Sequence, residues 1–283
     1  MSAPADSMSM RDALYEAPGP KTKRHILVGT IISSVVLVAI VAWVVMRLYR
    51  QGQFSSKYWS FFGKWTTWRF LLEGFAGTME VALTAGAIAL VLGVLFMLGR
   101  ISKNKAVSTI FRVIINFFRG IPSLLLIYFF FLVLPGYGFK IPSFWMLALP
   151  ISLTASGVLA EVFRAGVNAV PKGQVEAALS IGLTDGQVMR KIVLPQAIRY
   201  VIPSLISQLV VVVKDTSVAY VVSFPDILQN GRVLISNYDA LVSVYFVVAV
   251  IYVLINYAIN QASIYVARRS GTKIIARTEE NPV

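Results

Sequence analysis

Glu176-Ala177-Ala178-Leu179-Ser180-Ile181-Gly182, nine further residues, then Ile192-Val193-Leu194-Pro195: the reading of this stretch decides the fold. It is a polar, charged island between two long apolar regions. Pro171-Lys172-Gly173 opens it, and Glu176, Ala177, Ala178 and Leu179 are good helix formers. Gly182 permits the positive φ that reverses a chain. Thr184-Asp185-Gly186-Gln187 reads as a capping box, Thr184 capping and Gln187 reaching back, for a helix ended by Pro195. The pattern predicts two short helices joined at a glycine. A helix-turn-helix of this polarity between membrane spans cannot lie in lipid, so it must dock on something in water.

Composition sets the class of the regions around it. Of 283 residues, 57% are hydrophobic and 14% charged, against about 45–50% apolar and 25% charged in a soluble domain. The chain reads as an all-α polytopic membrane protein. It has no cysteine, which excludes a disulfide framework, a Cys-based zinc site and a thiol nucleophile. His25 is the single histidine and sits in a basic run; as a metal ligand or catalytic base it would stand alone, so it reads as a solvated or headgroup-level side chain. A net charge of +13 raises the question of nucleic acid. In a polytopic membrane protein, however, Lys and Arg accumulate in inner loops, where anionic lipid attracts them. Membrane lipid is therefore the expected partner of this charge, and nucleic acid is not.

Taken in order, residues 1–25 read as a disordered cytoplasmic tail, polar and ending in Lys21, Lys23 and Arg24. Residues 26–46 have the length of a full span, longer than a signal-peptide core, and no Ala-x-Ala site follows. They are an extra amino-terminal transmembrane helix. Residues 47–71 interleave Phe54, Tyr58, Trp59, Phe61, Phe62, Trp65 and Trp68 with Lys57, Lys64 and Arg69, the composition of an interfacial segment on the outer face. Five further apolar stretches follow, at Phe75–Leu98, Val113–Leu134, Phe144–Arg164, Ile198–Val222 and Ala240–Val266. They make residues 72–266 one transport unit, with the polar loop at about 167–197 and a tail at 267–283. Six spans place both termini on the cytoplasmic side. The basic residues agree: seventeen fall on the assigned inner side and seven on the outer.

Charged groups within the apolar stretches are costly, about 2.5–3.5 kcal/mol each at a span centre, and should face protein or water. Arg119 interrupts its region near the inner end and reads as a snorkelling or helix-capping side chain, with a substrate contact as the sharper alternative. Glu161 and Arg164 lie three apart on one helical face, where they can pair. Lys214-Asp215-Thr216-Ser217 offers an ammonium, a carboxylate and two hydroxyls in a row. Either Lys214 and Asp215 neutralise one another and anchor the span, or the cluster meets a zwitterionic solute.

The spacing of Glu176, Ala177, Ala178, Gly182, Ile192, Leu194 and Pro195 resembles the EAA loop of bacterial ABC-importer permeases. In that family the loop forms coupling helices that sit in a cleft of the ATP-hydrolysing subunit. Phe118-Arg119-Gly120-Ile121-Pro122, Glu161 to Gly166, Val170 to Gln174, Leu194 to Ala197 and Lys214 to Ser217 are similar to the polar amino-acid branch of these permeases. The resemblance implies a type I importer fold with five core helices per subunit. It also implies a second permease subunit, identical or related, a dimer of ABC ATPase subunits and an extracellular solute-binding protein. It places the chain in the bacterial cell membrane. Tyr15 to Lys21 and the extra span resemble the permease of actinobacterial glutamate importers, which points to glutamate as the substrate. The candidate substrate-path residues are those charged and hydroxyl groups of the spans, Lys214, Asp215, Thr216, Ser217, Glu161, Arg164 and Arg119. The chain itself is not expected to be an enzyme or to bind a cofactor. It has no phosphate-binding loop, Gly63-Lys64 being followed by Trp65, so ATP and Mg belong to the partner ATPase. The competing reading is an ion-coupled secondary transporter, for which Asp215 and Glu161 are candidates but corresponding halves are missing.

Overall fold

The computed structural model describes residues 19–269, all helix, turn and loop. The chain divides into two compact units between Tyr58 and Trp59.

In the first unit a single helix, α1 (Pro20–Arg50), begins with Pro20 in the first turn, where a missing N–H is harmless. Between its basic ends it is apolar, and its length exceeds the roughly 30 Å of a bilayer core. Its last turn carries Arg47 and Arg50. The Arg47 guanidinium lies over the Trp43 ring at 5.8 Å, an aromatic–cation pair suited to an interface. Gly52, at φ +71°, then turns the chain. Two boundaries move relative to the sequence reading. Lys21 to His25 are the first turns of this helix and not the end of a tail, and Arg47 to Arg50 are its last. The rest of the amino-terminal tail, like residues 270–283, lies outside the described residues.

The second unit opens with a short turn at Ser60–Gly63, whose Phe61 and Phe62 carbonyls accept from the Thr67 hydroxyl and the Trp68 indole, both at 2.7 Å. Then come α2 (Trp65–Arg100), α3 (Lys105–Gly120), α4 (Ser123–Tyr128, continued by wider and tighter turns to Tyr137) and α5 (Ser143–Ala169). The polar hairpin consists of α6 (Lys172–Ser180) and α7 (Asp185–Val188). Beyond it lie α8 (Leu194–Asp215), a tight turn at Thr216–Val222, α9 (Ile227–Tyr238) and α10 (Leu241–Arg269).

α2 and α5 form the centre of this unit. Their contact is lined by small residues, Ala82, Ala85 and Ala89 on one side and Ala155 and Ala160 on the other, all buried. A Cβ on Gly93 would stand 2.8 Å from Leu159 Cβ, so the glycine is what lets the two helices close. Small residues are the usual means of helix association where lipid is the solvent and hydrophobicity alone drives nothing together. The hydroxyls of Ser152 and Ser156 donate to Leu149 and Leu153 carbonyls at 2.7 Å, and Thr154 donates to the Pro150 carbonyl at 3.1 Å, so α5 satisfies its own polar groups.

Three sequence-based boundaries are corrected here. The stretch Val113–Leu134 is two helical pieces bent by 94° between Gly120 and Ser123. Pro122 removes an N–H from the ladder and disfavours a helical Ile121, which explains the break. α2 starts at Trp65, ten residues before the expected span, so the loop before it is short. Finally, Pro195 does not end the helix that Thr184 starts. It lies in the first turn of α8, and α7 runs into α8 through one widened turn at Met189–Val193, so residues 185–222 form a continuous helical rod, polar at its hairpin end and apolar beyond.

A buried polar clasp holds α2, α9 and α10 together. Asp226 is fully buried and caps α9, its Oδ1 accepting from the Gln229 N–H at 2.7 Å. Its Oδ2 accepts from the Tyr252 hydroxyl of α10 at 3.0 Å. Thr78 of α2 accepts from the Ile227 N–H at 3.3 Å, and the Asn230 amide donates to the Phe70 carbonyl at 2.7 Å. Burial raises the Asp226 carboxyl above its usual range, and the donors around it pull the other way.

Candidate coupling hairpin and transport path

The hairpin is a folded object with a core of its own. Val170, Ala178, Val188, Val193 and Ala197 are buried together, flanked by Val167, Val175, Leu183, Met189 and Ile192. Gly182 takes φ +84°. The Gly182 N–H donates to the Leu179 carbonyl at 3.0 Å and the Leu183 N–H to that of Ala178 at 3.2 Å, the paired closure of a Schellman motif. The capping box forms, the Thr184 N–H donating to Gln187 Oε1 at 2.9 Å. The Gln196 amide donates to Gln174 Oε1 at 2.6 Å and to the Ile192 carbonyl at 2.9 Å, tying the two arms. Lys103, in the loop between α2 and α3, pairs with Asp185.

The seven spaced residues divide by role. Ala178 is buried, Ile192 and Leu194 are half-buried, and Gly182 makes the turn. Glu176, Ala177 and Pro195 face outward. At the tip Ile181 is 79% exposed, and Leu179 beside it is exposed as well. Both are apolar residues next to the turn that the sequence reading used only as helix formers or spacers. Their signal was their polar surroundings, since a solvent-exposed Ile beside a Gly has no packing reason to be there.

The charged residues of the spans fall into separate places. Arg164 donates to Glu161 Oε2 from Nε at 2.8 Å and Nη2 at 2.7 Å, so the pair expected on α5 forms, half-buried. Lys214 and Asp215 do not pair with one another. Asp215 turns toward the Ser123 hydroxyl that opens α4. Thr216 is fully buried and donates to the Val213 carbonyl at 2.8 Å, which leaves it structural. Lys214 and Ser217 border a cavity of about 460 Å³ with Tyr245, Tyr252 and Asn256 of α10. Arg119 is exposed at the end of α3. An apolar cavity of about 350 Å³ lies between α2, α5 and α8, lined by residues such as Leu83, Leu90, Leu159 and Leu209.

Long helices closed on small-residue contacts, a polar hairpin between two of them and charged groups set into the spans define a multi-pass membrane permease. The chain belongs to the family of binding-protein-dependent transport system inner membrane components, whose pattern it matches over residues 87–271. It is 32% identical to the glutamate transport system permease protein GluD of Corynebacterium glutamicum, over 82% of this chain and 88% of that one. It is also 32% identical to the probable glutamine ABC transporter permease protein GlnP of Bacillus subtilis, over 71% of this chain and 91% of the relative. Among solved structures, an amino acid ABC transporter crystallised with histidines superposes with a TM-score of 0.68 at 27% identity, over 71% of this chain and 94% of that chain. The fold is thus that of the type I importer permeases, and membership implies an ATPase and a solute-binding protein as partners. Permease subunits of such importers are not themselves enzymes.

Proposed function

We propose that this chain is the permease of an ATP-driven importer of a polar amino acid, with glutamate the leading substrate, and that residues 167–197 couple it to the ATPase. The observation that carries this is the hairpin. Its interior is packed and its backbone capped, yet it holds Glu176, Leu179 and Ile181 outward. A module that stable, with an apolar tip, fits a cleft in a water-soluble partner. Ala178, Gly182, Ile192 and Leu194 keep its shape; Glu176, Ala177 and Pro195 meet the partner. Two ATPase subunits using ATP and Mg, a second permease subunit and an extracellular binding protein complete the assembly, with both termini of this chain cytoplasmic. Closure of the ATPase pair drives the hairpins and switches the permease pair between inward- and outward-facing states, which requires binding energy that differs between those states. Arg119, the Glu161–Arg164 pair, Lys214, Asp215 and Ser217 border the path. Glutamate is favoured because the relatives GluD and GlnP carry the names of glutamate and glutamine systems.

The test is affinity purification of the full chain from native membranes, followed by uptake in vesicles. An ATPase subunit co-purifying with the chain, lost on Glu176→Lys with Gly182→Val, together with ATP-dependent glutamate uptake, is the expected result. Uptake that persists without ATP and collapses with an uncoupler would replace this reading with an ion-coupled carrier.

A further inference from the structure

α3 presents three stripes, each repeating at intervals of four and three residues, the spacing of one helix face. Val107, Phe111, Ile114, Ile115 and Phe118 face protein, and Phe96 of α2 contacts both Phe111 and Phe118. Ala106, Ile110, Val113 and Phe117 are apolar and exposed. Lys105, Thr109, Arg112, Asn116 and Arg119 are polar and exposed. Among the described residues, none of the three cations in that last stripe has an acidic partner. Glu161, on the facing helix α5, is already held by Arg164.

The depth of Arg119 follows from its contact with α5. A Cβ on Gly157 would lie 3.1 Å from Arg119 Cγ and 3.1 Å from the Ile115 carbonyl oxygen, so the arginine stem rests against this glycine. Gly157 precedes Gly166 by nine residues, and Gly166 marks the hairpin end of α5, where a Cβ would meet the Ala197 carbonyl oxygen at 2.9 Å. Nine helical residues rise about 14 Å, close to half of the roughly 30 Å hydrocarbon core. Arg119 therefore lies about 14 Å along α5 from the hairpin end, deeper than the inner-end position read from the sequence, exposed and immediately before the 94° break. The carboxyl end of α3 favours a cation there. An ionised group at that depth must face water or an anion.

We propose that the polar stripe of α3 is the wall of a water-filled track for carboxylate-bearing solutes. Arg119 receives a carboxylate at that depth, and Arg112 and Lys105 pass it toward the hairpin side. The track repels cationic solutes. This deepens the importer reading and rests on it for the identity of the cargo, but the face and the charge preference of the track can be tested without it.

The natural absence of cysteine makes the test direct. Single thiols are placed in the full chain at Asn116→Cys and Thr109→Cys on the polar stripe, and at Val113→Cys on the apolar one. Each is exposed in inside-out vesicles to a sulfonate-bearing and a trimethylammonium-bearing methanethiosulfonate, with rates normalised to a free thiol. Labelling at 116 and 109 but not 113, with the anionic reagent about tenfold faster, is the expected result. Arg112→Gln and Arg119→Gln should each cut that preference severalfold, and Arg119→Lys should restore it. Labelling at 113 in place of 116, or equal rates for both reagents, would overturn the proposal. So would a preference that vanishes when anionic lipid is exchanged for neutral lipid, because the charge would then be the bilayer's. In ATP-dependent glutamate uptake, Arg119→Gln should lower the maximal rate about tenfold with little change in half-saturation, and an unchanged rate would also overturn it. Thiol results as expected beside uptake that ignores ATP would sink the importer reading and leave the track standing.

Discussion

The clasp around Asp226 and the hairpin around Gly182 are both polar regions of one helical unit, and they answer burial in opposite ways. In the clasp, Asp226, Thr78 and Asn230 are buried and bonded to one another's elements, with nothing turned outward. In the hairpin the bonds that set its shape are local, between residues a few positions apart or on adjoining arms, with the exposed Lys103–Asp185 pair added from outside, and the apolar tip is left exposed. A polar group closed on itself across distant helices fixes a fold. One closed on itself within thirty residues makes a knob for something else to hold. Substitutions in the first region should therefore act on stability, and in the second on coupling.

The sharpest contrast should come from Gly77→Val. The new Cβ would run into the Pro225 carbonyl oxygen, a backbone atom that cannot step aside. We expect a chain that fails to accumulate in membranes, measured by immunoblot; normal accumulation would mean that the clasp is soft. Asp226→Ala comes next. It strips the Gln229 N–H and the Tyr252 hydroxyl of their acceptor, at about 1–3 kcal/mol for each buried donor left unpaired, read as a lower unfolding temperature. Asp226→Asn keeps one acceptor and should lose less. It should also remove a pH dependence. The folded-state pKa of Asp226 is raised, so the folded protein binds the proton more tightly than the unfolded chain. The contribution is fully present below the unfolded pKa of about 3.8 and is lost as pH rises through the higher folded value. Wild type should gain stability relative to the Asn variant as pH falls through that window.

Gly182→Val inverts the pattern. It strains a left-handed position by about 1–2 kcal/mol within the hairpin alone, so membrane levels should hold while ATP-dependent uptake is lost. Uptake at the wild-type rate would erase the distinction between the two regions. Lys103→Ala should do least. Its pair with Asp185 is well exposed on both sides, and exposed pairs contribute about 0.2–1 kcal/mol. A shift in unfolding temperature larger than a few degrees would show the hairpin to be pinned from outside.

The hairpin was legible because its signals are local. Gly182, the Thr184 and Gln187 box and the run of helix formers each act within one turn, and the structure shows all of them in use. The clasp was illegible because its partners stand far apart in sequence, Thr78 against Ile227 and Phe70 against Asn230. Even so, Pro225-Asp226 followed by Gln229 holds a capping signal for α9, a helix too short to span. The break at Ile121-Pro122 was visible as a motif but was absorbed into a single apolar span, since hydropathy counts residues and not direction. The three stripes of α3 needed the neighbours of each face to be known.

The join between hairpin and rod has a mechanical consequence. From Asp185 to Asp215 the chain is one helical lever, roughly 45 Å long at 1.5 Å per residue. A tilt of about 5° at the hairpin end carries the far end, where Asp215 meets Ser123, through about 4 Å. Its compliance is confined to the widened turn at Met189–Val193 and to Pro203, whose ring removes one rung from the ladder. Stroke length is set by the rod, and backlash by those two joints.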